Sequence, residues 1–128
     1  MASPLWRLTV RSDFSAAHAL RHYQGKCESL HGHNFAVEVT VEGEKLSEGT
    51  ELLMDFKEVK ARLKTVLDKL DHQDLNQLQA FGTHNPSSEN IAAWIFNQLK
   101  PLFAEQPARL HSVSVSEKNA QTATYLEI

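Results

Sequence analysis

At 128 residues, 41% of them hydrophobic and 23% charged, the chain has the make-up of an ordinary globular domain long enough to bury a core. A net charge of −3 with neutral histidines argues against a general nucleic-acid binder and against a polybasic membrane contact. No apolar run approaches the roughly 20 residues of a membrane helix, one cysteine forms no internal disulfide, and MASPLWRLTV lacks the basic-then-apolar pattern of a secretion signal, so a cytoplasmic protein with a reduced thiol is expected.

WRLTV alternates Trp6, Leu8 and Val10 with Arg7 and Thr9, the pattern of a half-buried strand that continues toward DFSAAHA. Residues 21–30 are polar and irregular, broken by Gly25. A second strand alternates Phe35, Val37, Val39 and Val41 with Ala36, Glu38, Thr40 and Glu42, and a loop with Gly43 and Gly49 as turn residues follows. Asp55 and Glu58 then make a helix-start signal resembling a capping box, and Val59, Leu63, Val66, Leu67 and Leu70 recur at helical spacing. NPSSEN opens a second helix whose inner face is Ile91, Ile95, Leu99 and Leu102, with Pro101 and Pro107 at its end. LHSVSVSEK and TATYLEI read as two last strands. The order ββααββ predicts one α+β domain over 1–128, a four-stranded antiparallel sheet with both helices on one face.

KCESLHGHNF concentrates the chemistry. Cys27 precedes His31 by four residues and His33 by six. Strand residues i and i+2 share a side, so His31 and His33 face one way, and Gly32 between them lets the backbone bend or be approached closely. Such a pair can bind one zinc ion, and His18, near the end of the first strand, is the natural third ligand, leaving a fourth position open. Two readings compete: unrelated histidines, and a closed structural site with Cys27 as a further ligand. In LDHQDLN, the Asp71 carboxylate can fix the tautomer of His72 only where the helix breaks, because neighbouring helical residues diverge. Otherwise His72 is a favourable cation at a helix terminus. Glu117 shares a face with Val113 and Val115; an inward carboxylate needs donors, and a planar edge with two N–H groups would supply them. A surface glutamate is the alternative.

Taken in order, FSAAH, CESLHGHNF, LMDF, LDHQDLN, NPSSENIA and SEK resemble the 6-pyruvoyl-tetrahydropterin synthase superfamily over nearly the whole chain. The C-x-x-x-H-G-H spacing is shorter than in the pyruvoyl-forming animal enzymes. It resembles the bacterial branch that makes 6-carboxy-5,6,7,8-tetrahydropterin for queuosine biosynthesis. The resemblance implies a T-fold (tunnelling fold) whose sheets close into an oligomeric barrel, a trimer or hexamer, with active sites at interfaces. It implies one Zn2+ per subunit on His18, His31 and His33, with Cys27 as the general base. Asp71 and His72 would be the proton relay, reaching Cys27 across a subunit boundary. Glu117 would clamp the pterin's amino-pyrimidine edge, and Ser87 and Ser88 would complete that pocket or only cap the helix. The implied substrate is 7,8-dihydroneopterin triphosphate, converted to 6-carboxytetrahydropterin, acetaldehyde and triphosphate. A free thiol ionises near 8.5, so a cation beside Cys27 would be needed for thiolate at neutral pH. Two other functions fit the same residues: a pyruvoyl-forming or other pterin side-chain lyase, and a non-catalytic zinc- or pterin-binding module. No Gly-rich phosphate loop is present, and His22, His84 and His111 have no assigned role.

Overall fold

Alternation in the first strand decides which way the sheet faces. Val10, Phe14, Ala16 and His18 are buried on one side, whereas Arg7, Thr9, Arg11 and Asp13 are exposed on the other. The structure is a computed structural model that describes residues 2–128. Its elements run β1 (Trp6–His18), β2 (His31–Gly43), α1 (Phe56–Leu67), β3 (Gln73–Asp74), α2 (Ser88–Leu99), β4 (Arg109–Lys118) and β5 (Gln121–Leu126), joined in places by short 3-10 turns.

β1 and β2 pair antiparallel along their whole length, from Trp6 opposite Gly43 to His18 opposite His31. β4 pairs antiparallel with β2, and β5 with β4, so the long strands stand in the order β1-β2-β4-β5. One feature departs from the expected four-stranded sheet. A fifth, two-residue strand, β3, pairs parallel to β1 at Ala16 and Ala17. The physical cause lies just before it: the Asp71 carboxylate accepts from the Ser15 N–H at 2.9 Å, and the His72 N–H donates to the Ser15 carbonyl at 2.6 Å. That docking delivers the next two residues into register with β1.

Both helices cover the apolar face of the sheet, α2 against β4 and β5 and α1 against β1. Asp55 caps α1 by accepting from the Lys57 N–H at 2.8 Å, and Val59, Leu63, Val66 and Leu67 are its buried residues. Ser87 caps α2, accepting from the Asn90 N–H at 3.2 Å. α2 ends at Leu99, because Pro101 turns the next four residues into a 3-10 turn and leaves Leu102 exposed rather than on the inner face. Gly43 is not in a turn but closes β2 in a buried position. A Cβ there would lie 2.6 Å from Leu53 Cδ1 and 2.9 Å from the Pro107 carbonyl oxygen. The opposite face of the sheet is polar: Arg7 pairs with Glu42 at 3.0 Å, Arg11 with Glu38, and Thr9 with Thr40 at 2.9 Å. Among the described residues no helix is long and apolar enough to cross a membrane.

Candidate functional site

The register of β1 on β2 builds the site. His18 lies directly across from His31, and His33 follows two residues later on the same, helix-covered side. The three ring centroids stand 4.7 Å (His18–His31), 4.8 Å (His31–His33) and 5.7 Å (His18–His33) apart. Phe35 floors the group, its ring 5.1 Å from that of His18 and stacked on Phe14 at 4.9 Å. Glu117 reaches in from β4, its Oε1 3.3 Å from His18 Nε2 and its Oε2 3.2 Å from His33 Nε2. One ligand atom from each of these four residues lies within 4.8 Å of the others.

The tautomers follow from the hydrogen bonds. A carbonyl only accepts, so His18 Nδ1, 2.7 Å from the Pro86 carbonyl, carries the proton and donates it. His31 Nδ1 donates likewise to the Ser29 carbonyl at 2.7 Å. In the neutral imidazole, Nε2 is then the nitrogen left to accept or to ligate. The Nε2 of His18 is buried with no hydrogen-bond partner, and a Glu117 carboxylate oxygen lies 3.3 Å from it. Two electron-rich atoms facing each other in a desolvated setting call for a proton or a cation between them. Burial, the largest influence on His18, pushes its pKa below the ordinary value and disfavours the proton, although the Pro86 hydrogen bond and Glu117 act the other way. The donor set thus fits a divalent metal: three imidazoles, those of His18 and His31 with outward partners on Nδ1, and a carboxylate beside them.

Cys27 is not part of this cluster. It lines an adjoining cavity of about 330 Å3 together with Ser87, Ser88 and Glu117, so the Glu117 carboxylate joins the cavity to the histidines. The structure brings the thiol, the serines and the glutamate to one cavity. Glu117 does face inward, but its oxygens meet histidine nitrogens. Tyr23 and Glu89 also line the cavity and were missed. Glu89 stands in the first turn of α2, where an acid is ordinary by helix-dipole arguments, so its sequence position carries no distinguishing signal. Gly32 has no steric reason in the chain: β2 runs through it in unbroken register, and a Cβ would meet only the Ala16 carbonyl oxygen, at 4.0 Å.

Asp71 and His72 sit elsewhere. α1 ends before them, and His72 takes a left-handed backbone, φ 59°, which brings its Nδ1 to 3.0 Å from Asp71 Oδ2. The break the pairing requires is therefore present. The Asp71 carboxyl is held below the usual aspartate range, first by the Ser15 N–H and also by His72. His72 is exposed and lines a separate cavity of about 530 Å3 with Ser15, Asn34 and Gln73, which also reaches His33. Cys27 is not among the residues of that cavity. His22 and His84 are exposed, and His111 lies 3.0 Å from Ser112 Oγ through its Nδ1; none belongs to the histidine–glutamate cluster.

Comparison with known proteins places this arrangement. Residues 7–127 match the family model of 6-pyruvoyl tetrahydropterin synthase. The chain is 42% identical to the 6-carboxy-5,6,7,8-tetrahydropterin synthase of Synechocystis over 94% of its length and 93% of that protein. It is 40% identical to the dihydroneopterin monophosphate aldolase of Pyrococcus furiosus over 73% of its length and 75% of that protein. Among solved structures it resembles the 6-pyruvoyl tetrahydropterin synthase of Caenorhabditis elegans, with a TM-score of 0.86 and 29% identity, covering 100% of this chain and 99% of that one. The two helices and the antiparallel sheet of β1, β2, β4 and β5 are the T-fold of these proteins, and the chain belongs to the 6-pyruvoyl tetrahydropterin synthase family of pterin-processing enzymes.

Proposed function

We propose that this chain converts 7,8-dihydroneopterin triphosphate and one water to 6-carboxy-5,6,7,8-tetrahydropterin with release of acetaldehyde and triphosphate, as a zinc-dependent step of queuosine biosynthesis. The observation that carries the reading is the buried, partnerless Nε2 of His18, set against Glu117 beside the cavity that holds Cys27. The choice of the carboxy product is supported by the identity to the Synechocystis synthase and by the Cys27–His31–His33 spacing.

His18, His31 and His33 would hold the zinc ion. When bound, the ion supplies positive charge that acidifies substrate hydroxyls and stabilises developing negative charge. Cys27 takes a carbon-bound proton as general base, and its place in the cavity beside Glu117 sets it near that charge without making it a ligand. Asp71 keeps His72 oriented through the 3.0 Å contact, and this pair delivers protons to the site of a neighbouring subunit. The pterin occupies the cavity between Cys27 and the start of α2. Glu117 clamps its amino-pyrimidine edge where the carboxylate turns from the histidines, and Glu89 is the cavity's second carboxylate suited to the same task. Ser87 and Ser88 border the cavity, with the Ser87 hydroxyl already engaged as the α2 cap.

A second reading is favoured by the Pyrococcus relative: cleavage of the pterin side chain as an aldolase. Product analysis separates the readings. Incubation of the pure, zinc-loaded protein with 7,8-dihydroneopterin triphosphate is expected to release acetaldehyde and inorganic triphosphate. Retention of a three-carbon side chain would place it with the pyruvoyl-forming synthases. A released fragment that keeps the phosphates would indicate aldol cleavage. Absence of turnover with any dihydropterin would leave a binding module.

A further inference from the structure

Two asparagines without a part in the proposed reaction clasp one short stretch of main chain. Asn76 Oδ1 accepts from the Ala19 N–H at 2.8 Å, and its Nδ2 donates to the Ala19 carbonyl at 3.0 Å. Asn85 repeats the arrangement two residues on: Oδ1 accepts from the Arg21 N–H at 2.8 Å, and Nδ2 donates to the Arg21 carbonyl at 2.9 Å. Residues i and i+2 of an extended chain point their main-chain groups to one edge, so the two side-chain amides act as a substitute strand. Leu20, between them, presents its N–H to the other edge and donates to the Cys27 carbonyl at 2.7 Å.

The Arg21 side chain secures the same stretch from a third direction. Its guanidinium donates to the carbonyls of Phe81 at 2.7 Å and His84 at 3.2 Å. Residues 22–25 between the stretch and Cys27 have no strand or helix to define them, and His22 (φ 65°) and Gly25 (φ 150°) both take positive φ. The Cys27 carbonyl is held by the Leu20 N–H, and Leu20 stands between the two clasps. Asn85 also precedes Pro86, whose carbonyl orients buried His18.

We propose that Asn76 and Asn85 are positioning residues that fix the Cys27 thiol relative to the histidine cluster by holding residues 19–21 as a rigid rail. The proposal rests on Cys27 being the base of the reaction. Asn85→Asp and Asn76→Asp test it with little change of shape. Each keeps the accepting oxygen, loses the donor, and turns a second oxygen toward a carbonyl. In the folded variants we expect kcat to fall about 10- to 100-fold, the scale of a misplaced catalytic group, with KM changed less than about twofold on the uniform-binding criterion. Bound metal per chain stays as in the parent, and the rate of Cys27 alkylation by iodoacetamide, measured without substrate, shifts by a factor of about three or more as the loop loosens. A purely structural role would lower the unfolding midpoint while leaving kcat and alkylation of the folded protein at parental values, and that result overturns the proposal. Should either aspartate variant fail to fold, Arg21→Lys, which retains the charge but not the span over the Asn76, Phe81 and His84 carbonyls, is held to the same readouts. If Cys27→Ala keeps parental turnover, the base assignment fails instead, whereas the alkylation shift still reports whether the rail positions the thiol.

Discussion

His18 is the residue at which burial and chemistry conflict most directly. Its side chain is 1% exposed, it sits against Phe35, and it spends its one proton on the Pro86 carbonyl. What remains is a lone pair with no partner, a costly state for a buried nitrogen unless a cation completes it. Asp71 is the opposite case, a carboxylate satisfied by a main-chain N–H and by its neighbour's imidazole. Its depressed folded-state pKa gives a sign to the pH dependence. The stabilisation is complete above the unfolded value, near the ordinary 3.8, and is lost as pH falls through the lower folded value. In urea unfolding, the parent is therefore expected to exceed Asp71→Asn in stability at pH 7, the gap narrowing only under strongly acid conditions. A gap already absent at pH 7 would show that the carboxylate's charge adds nothing to a contact an amide oxygen can also accept. At this scale much was readable in sequence. The H-x-H pair and the strand-end His18 offered one cluster beside the reading of unrelated histidines, and alternation offered an inward Glu117 beside a surface one. That Glu117 meets His18 and His33 was not readable, because it depends on the register between β2 and β4, a pairing of segments far apart in the chain.

At the level of elements, the long strands and both helices were legible because each carries its own period: two for β1, β2 and β4, and 3.6 for α1 and α2. β3 was not, since two residues have no period and pair only because Asp71 and His72 dock on Ser15. The segment 21–30 was legible only as irregular, and nothing marked the two residues that lead into it. Its shape comes from Asn76, Asn85 and Arg21, whose partners lie more than 50 positions away. The start of α2 separates two roles proposed for one hydroxyl. Ser87 accepts the Asn90 N–H as a cap, so Ser87→Ala is expected to cost about 1 kcal/mol of stability while KM for the dihydropterin stays unchanged. A raised KM with unchanged stability would give the hydroxyl to the substrate instead.

At the scale of the whole molecule, one chain holds all the named groups without holding them together. The thiol lines one cavity and the Asp71–His72 pair lines another. β1, covered by β3 only at Ala16 and Ala17, and β5 leave sheet edges unpaired within the chain. Edges of this length invite pairing with further copies, and closure into a barrel removes them. If the site is shared, mixing inactive Cys27→Ala and His72→Ala chains by refolding them together should restore activity, since random assembly makes about a quarter of the interfaces carry both intact groups. Persistent inactivity in mixed oligomers would confine the relay to its own chain.

Diffraction from crystals of the zinc-loaded protein, collected at the zinc absorption edge, tests the central claim most directly. The account predicts one anomalous peak per chain at about 2.0–2.1 Å from a nitrogen of each of His18, His31 and His33, with the Cys27 sulfur outside the coordination shell. A peak bound by that sulfur, or a cluster that takes up no zinc while His18 turns away from the other two rings, would contradict it.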